Sequence, residues 1–368
     1  MNLTAVKARW LGALVAAGVL LVAGAGTAGA RTTDGDEGPV RGVPQTVQLK
    51  LPPKSVAVSP DGRKAYVSVG HTTSGARLDV VDTQSGAVTA EVVLNPGFEI
   101  SVGQVAVSPD GSRVYVLYGL GRHLQLSMLA VLDTATNTVI AKVAAPDQPR
   151  PDPERTTTGR LSALAVSDDG SRVFVAQEGP KRPNRPIQEG ARILQFSAWD
   201  LTYTAAVTVP GKYTGGVAVR PGGGDAYIST DEGLSLLDTS GDTPVLEKTL
   251  ADRDGWLAGL AVSPDGSRLY QVHTGGAGTV VDLSTSTVDS TFTVESGASR
   301  WSLALSDDGS RLYSVAQNSK VLSIDTDTNA VVPGEGVTGL SGAAGLALGP
   351  DGHTFYVVSG AGLQIIGH

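Results

Sequence analysis

Histidines at 71, 123, 273, 353 and 368 are the chain's only imidazoles, and no cysteine accompanies them. Disulfides and thiolate metal sites are therefore excluded, and a metal would have to rest on nitrogen and oxygen ligands brought together from distant segments. No HExxH helix signature, GxSxG elbow or phosphate-cradling glycine loop is present, so no side chain is marked as nucleophile or general base by its neighbours. Asp-Gly pairs recur, as at Asp61-Gly62, but they lack the alternating oxygen ligands of a DxDxDG calcium loop. The sequence calls for no cofactor and no resident metal.

Charge is the more informative chemistry. Two segments, 146–160 (PDQPRPDPERTTTGR) and 178–192 (EGPKRPNRPIQEGAR), hold seven of the 20 prolines together with Arg150, Arg155, Arg160, Lys181, Arg182, Arg185 and Arg192. Proline stiffens such loops into extended segments and lowers the entropy lost on binding. On a chain of net charge −8, a local basic sector attracts an anionic small molecule, a glycan or a protein partner. The competing reading is a solvated elaboration with no ligand. Trp256 and Trp301, with Arg300 beside the second, form another candidate group, either an aromatic shelf or core packing.

The elements that must position these residues come from a repeat. VAVSPDGRKAYV, from Val56, returns in six further copies, and the turn glycines at 62, 111, 170, 223, 266, 309 and 352 lie 49, 59, 53, 43, 43 and 43 residues apart. A period of roughly 40 to 50 residues with several short strands per unit predicts an all-β, seven-bladed β-propeller of four-stranded antiparallel blades. In Ser-Pro-Asp-Gly, proline presets φ and glycine accepts the left-handed conformation, so the turn joins the innermost strand A to strand B. One aromatic recurs in strand B, at Tyr66, Tyr115, Phe174, Tyr227, Tyr270, Tyr313 and Tyr356, which predicts packing between blades rather than a site. Strand C is expected to end in Asp at 82, 133, 200, 238, 282 and 325, with short polar side chains bonding the turn that follows.

Blade seven runs out of chain after strand C (363–366). The alternating stretch 46–51 supplies the missing strand, closing the ring and covering an edge that would otherwise invite aggregation. In an up-and-down blade the D-to-A and B-to-C connections emerge on one face. Both Arg-bearing segments, one between blades two and three and one within blade three, are therefore predicted side by side on that face, opposite the Asp-Gly turns. His71, His123 and His273 are expected toward the same face, with His353 on the turn side. Residues leading into the strands A, among them Lys54, Gln104, Ser162, Gly216, Trp256 and Trp301, with Arg160 close by, should ring the channel mouth, where propellers generally bind.

The repeated phrase, with strands such as Leu78-Asp79-Val80-Val81-Asp82-Thr83, resembles the bacterial YVTN-type seven-bladed propellers over essentially the whole chain beyond residue 30. The tetrapeptide that gives that family its name is absent: Tyr-Val at 66, 115 and 356 is never followed by Thr-Asn. Similar propellers include lactonases of the 6-phosphogluconolactonase type and lyases of cyclic esters, so the resemblance implies a hydrolase or lyase at the channel mouth as the alternative to a binding module. A structural envelope component is the third reading.

Residues 1–30 read as an export signal, with Lys7 and Arg9 ahead of an apolar stretch and Ala28-Gly29-Ala30 as the cleavage site. A flexible segment, 31–44, then precedes the propeller at 45–368. Without a cysteine there is no lipid attachment, and no later apolar run is long enough to span a membrane. Removing the signal takes away two positive charges and moves the balance from −8 to −10, which argues against nucleic acid as a partner. The expectation is a secreted or extracytoplasmic monomer.

Overall fold

The computed structural model describes residues 44–71, 75–96, 100–121, 126–149, 157–181, 189–251, 258–294, 303–316 and 320–367. All lie in the compact unit Pro39–His368. A short strand β1 (Gln45–Val47) precedes blade one, which comprises β2 (Pro53–Val58), β3 (Lys64–His71), β4 (Gly75–Asp82) and β5 (Val88–Asn95). Blade two is β6 (Ile100–Val107), β7 (Arg113–Leu120), β8 (Leu126–Asp133) and β9 (Thr138–Ala144). Blade three is β10 (Leu161–Val166), β11 (Arg172–Gln177), β12 (Arg192–Ser197) and β13 (Tyr203–Thr208). Blade four is β14 (Thr214–Val219), β15 (Asp225–Thr230), β16 (Gly233–Asp238) and β17 (Val245–Ala251). Blade five is β18 (Ala258–Val262), β19 (Arg268–His273), β20 (Ala277–Asp282) and β21 (Thr287–Thr293). Blade six is β22 (Leu303–Leu305), β23 (Arg311–Ala316), β24 (Lys320–Asp325) and β25 (Ala330–Val331), and blade seven contributes β26 (Gly345–Leu348), β27 (Thr354–Ser359) and β28 (Gly362–Gly367).

Six sheets follow chain order, and the seventh runs β1-β28-β27-β26. Innermost strands β2, β6, β10, β14, β18, β22 and β26 each adjoin the next, and β26 adjoins β2, which completes the ring. The N-terminal strand does close the last blade, through Gln45↔Ile365, Thr46↔Gln364 and Val47↔Leu363. It is shorter than the expected 46–51, because Leu49 and Leu51 turn into the apolar seam between blades one and seven while Lys50 reaches out to Glu91 at 2.7 Å. Gly362 is required here: a Cβ on it would stand 2.2 Å from the Val47 carbonyl oxygen.

The repeated turn works through its side chains. Ser59 Oγ donates to Asp61 Oδ1 at 2.6 Å and accepts from the Lys64 amide at 2.9 Å, while Gly62 sits at φ +71°. The same pair of bonds recurs at Ser108, Ser167, Ser263 and Ser306. The serine hydroxyl and the turn amide hold these carboxyls below their ordinary range, Asp169, Asp265 and Asp308 at about 2. After strand C, Thr83, Thr134 and Thr326 donate to the carbonyls of Gly62, Gly111 and Gly309 at 2.6, 2.7 and 2.7 Å, so both turns of a blade are tied together on one face. Asp200 departs from expectation: β12 stops at Ser197, and Asp200 lies within the turn, accepting from the Thr202 amide.

None of the seven strand-B aromatics is more than 5% exposed, and each ring contributes about 1.5 to 3 kcal/mol by burial. Tyr115 also donates to the Ala198 carbonyl of the next blade at 2.8 Å. Burial pushes the Tyr66 and Tyr115 hydroxyls up to about 12. Two residues before the aromatic, a basic side chain reaches in the same direction: Lys64 to the Thr134 carbonyl (3.1 Å), Arg172 to that of Thr239 (2.6 Å), and Arg113 over the Trp199 ring (4.4 Å).

Candidate functional site: the insert-bearing face

Strands β11 and β12 pair up to Gln177↔Arg192, and the chain between them forms one of the two Arg-bearing insertions. Its base meets the other insertion directly. Thr157 and Lys181 exchange both backbone hydrogen bonds, at 2.8 and 3.0 Å, so the two segments lie side by side as a small antiparallel bridge.

Beneath that bridge is a buried polar network. Gln148, 5% exposed, accepts from the Gly159 amide at 2.5 Å and donates to the carbonyls of Glu178 (3.3 Å) and Gly190 (3.2 Å). Gln177, fully buried, donates to the carbonyls of Pro146 and Gly159, both at 3.3 Å. Arg192 donates through Nε to Gln177 Oε1, and through Nη2 to the carbonyls of Pro146 (2.8 Å) and Asp147 (2.6 Å). Loops have no ladder to satisfy their carbonyls, and these three side chains take that part. Gly159 admits no side chain, since a Cβ would lie 1.7 Å from the Glu178 carbonyl oxygen.

The described members of the basic cluster therefore divide. Arg192, 5% exposed, faces inward as a cross-link, and burial draws its guanidinium below the ordinary value. Arg160 Nη2 pairs with Glu178 Oε1 at 2.7 Å, the carboxylate being only 6% exposed. Lys181 is exposed at the bridge. Arg150, Arg155, Arg182, Arg185, Trp256, Arg300, Trp301, His123 and His368 lie outside the described residues. His71 and His273 end β3 and β19 on the insert-bearing face as expected, and His353 lies in the turn on the other. Among the described residues no three His, Asp or Glu side chains are grouped to hold a metal.

Two features of the channel mouth differ from expectation. Strands A begin earlier than the repeats suggested, so Lys54, Gln104, Ser162 and Gly216 fall within them. Two of these side chains join blades: Gln104 Oε1 accepts from the Leu164 amide at 2.8 Å, and Ser162 and Thr214 hydroxyls meet at 2.5 Å. The insert face also carries residues that sequence reasoning passed over. Lys212 bridges to Glu189 at 2.8 Å, which holds its ammonium above the ordinary value, and Asp231 accepts from the Lys212 and Tyr213 amides at 2.7 and 2.9 Å. Blade three's insertion is thereby knit to blade four. Two cavities flank this picture, one of about 40 Å³ below Arg160 and a cleft of about 490 Å³ on the turn face between blades five and six. The carboxylates of Asp265 and Asp308 in that cleft already accept hydrogen bonds within their own turns.

No family model matches the chain, and no curated protein does. Among solved structures it is similar to a chain of hydrazine synthase from Kuenenia stuttgartiensis, with a TM-score of 0.65 and 17% identity over 88% of this chain and 97% of that one. At that identity the likeness shows the fold alone. Because 1715 chains of known structure match, the fold narrows the activity very little.

Proposed function

We propose that the chain is an extracytoplasmic propeller, of the YVTN type its repeats resemble, that works as a binding module through its insert-bearing face. One observation carries this reading. The described bases of the two Arg-bearing insertions are joined by a satisfied buried network of Gln148, Gln177 and Arg192, a construction that holds the two bases against each other. A tolerated, ligand-free elaboration needs no such foundation.

The partner class is an anionic ligand, glycan or protein surface, drawn by Arg150, Arg155, Lys181, Arg182 and Arg185. Changing Arg150, Arg155, Arg182 and Arg185 to Ser is expected to weaken capture from culture medium or envelope fractions while leaving the melting temperature nearly unchanged, since exposed charges contribute little to stability. Capture by the parent should fall with added salt. Undiminished binding by the quadruple variant, with loss on substitution of Trp256 and Trp301, would move the site to the channel mouth and favour the enzyme reading. Export is tested separately by N-terminal mass spectrometry, with Arg31 the expected first residue and a product retaining Met1 the contrary result.

A further inference from the structure

Below Arg160, at the seam of blades two and three on the insert-bearing face, lies a cavity of about 40 Å³. It is lined by Ser101, Gly103, Tyr118, Ser127, Arg160 and Ser162. Val102, Leu117 and Leu161 complete a lining of mixed character, in which Ser127, Ser162 and Tyr118 are each 4% exposed while Ser101 and the Arg160 side chain stay partly open to solvent. The Arg160 guanidinium is only partly used. Its Nη2 donates to Glu178, while its Nε is buried and has no hydrogen-bond partner. A buried cationic N–H without an acceptor is costly, and charged donors favour anionic oxygen. Glu178 and Arg160 are the charges that meet here. One guanidinium with five donors can serve two carboxylates at once.

We propose that this cavity is a subsite for a single carboxylate group of a ligand, held by Arg160 Nε and the hydroxyls of Ser127 and Ser101. Size selects the group: about 40 Å³ takes one or two water-sized oxygens, which suits a planar carboxylate better than a tetrahedral phosphate. Tyr118, its hydroxyl pushed upward by burial, keeps its proton and adds no negative charge. The subsite rests on the binding reading of this face and gives it a ligand chemistry, without drawing on the loop arginines.

The test is a titration of the full chain with sodium acetate, followed by amide NMR against sodium chloride at equal ionic strength. Saturable shifts are expected at Ser101, Gly119, Ser127 and Leu161, with inorganic phosphate binding at least about tenfold more weakly. Arg160→Gln is expected to weaken acetate roughly tenfold and Ser127→Ala roughly fivefold. Ser127→Ala keeps the test sound should Arg160→Gln loosen the fold. Non-saturable shifts, equal affinity for phosphate, unchanged affinity in Ser127→Ala, or a crystal grown in acetate that holds only water at this place would overturn the proposal. Failure here alongside lost capture in the four-arginine variant sinks the subsite alone. Acetate binding alongside intact capture sinks the loop-arginine reading and leaves the subsite standing.

Discussion

Asp79 gives the sharpest test of how the ring is held shut. It lies in β4, 1% exposed, at the seam where blade one meets blade seven and the closing strand. Arg77 Nε is 3.5 Å from its Oδ1, which has no hydrogen-bond partner, while Arg77 Nη1 is drawn to Glu91 at 2.9 Å and Lys50 holds the other side of Glu91. The apolar side of the seam is Val47, Leu363 and the buried Tyr356. Burial raises the Asp79 carboxyl from the ordinary 3.8 to about 6, the opposing pull of Arg77 being the smaller effect. Between about pH 4 and 6 the folded protein thus binds more protons than the unfolded chain, so this group's contribution to stability falls as pH rises and the full penalty is present above pH 6. Two units correspond to about 3 kcal/mol. Asp79→Asn should match the parent at pH 4 and exceed it by about 2 to 3 kcal/mol at pH 8, measured by urea unfolding across that range. Contributions from Asp169, Asp265 and Asp308, whose carboxyls are depressed, vanish only below pH 4 and cancel in the difference. A variant weaker than the parent at pH 8 would show that the Arg77–Asp79 pair is net stabilising, and a difference independent of pH would show that burial leaves the carboxyl unshifted; either refutes the reasoning.

Three further outcomes are expected. Deleting residues 31–41 should leave thermal stability unchanged, whereas deleting 31–51 should lower it by several kcal/mol through loss of β1 pairing and of the Val47, Leu49 and Leu51 contacts; equal melting of the two truncations contradicts the closure. Arg192→Met, which leaves Gln177 Oε1 without its donor and takes one donor from each of the Pro146 and Asp147 carbonyls, should cost about 3 kcal/mol or more in denaturant unfolding, with Arg192→Lys recovering little because one ammonium cannot reproduce the fork. Gly159→Ala should raise amide exchange at Thr157 and Lys181, since its Cβ collides with the Glu178 carbonyl.

The blades were legible because their determinants are local. A serine, an aspartate and a left-handed glycine within four residues specify the turn, and a strand-B aromatic every 43 to 59 residues specifies the packing between sheets. The basic position two residues ahead of that aromatic was equally visible, at Lys64, Arg113, Arg172, Arg268 and Arg311, but for the first three its partner is a backbone carbonyl or ring in the next blade, which no local pattern names. Asp79 stood out as a charge in an apolar run. What it faces depends on the closing strand, some thirty residues upstream and joined to the far end of the chain. The Gln148, Gln177 and Arg192 network was hidden for a related reason. Its acceptors are carbonyls of irregular chain, and in the sequence Arg192 is indistinguishable from the arginines of the loop beside it.

That last ambiguity bears on function. Arginine count alone places seven basic residues in one sector, yet Arg192 is consumed by the foundation and Arg160 is shared with Glu178, so of the described three only Lys181 presents an unshared charge outward. On the proposed binding reading, attraction of an anion is assigned to the loop arginines and Lys181, and selectivity among anions to the buried donors around Arg160. Long-range charge governs how fast a ligand arrives, and shielded donors of fixed geometry govern which one stays. The two tests of this face should accordingly divide, the loop variants acting on salt dependence and association rate, and Arg160 or Ser127 variants on the choice between carboxylate and phosphate.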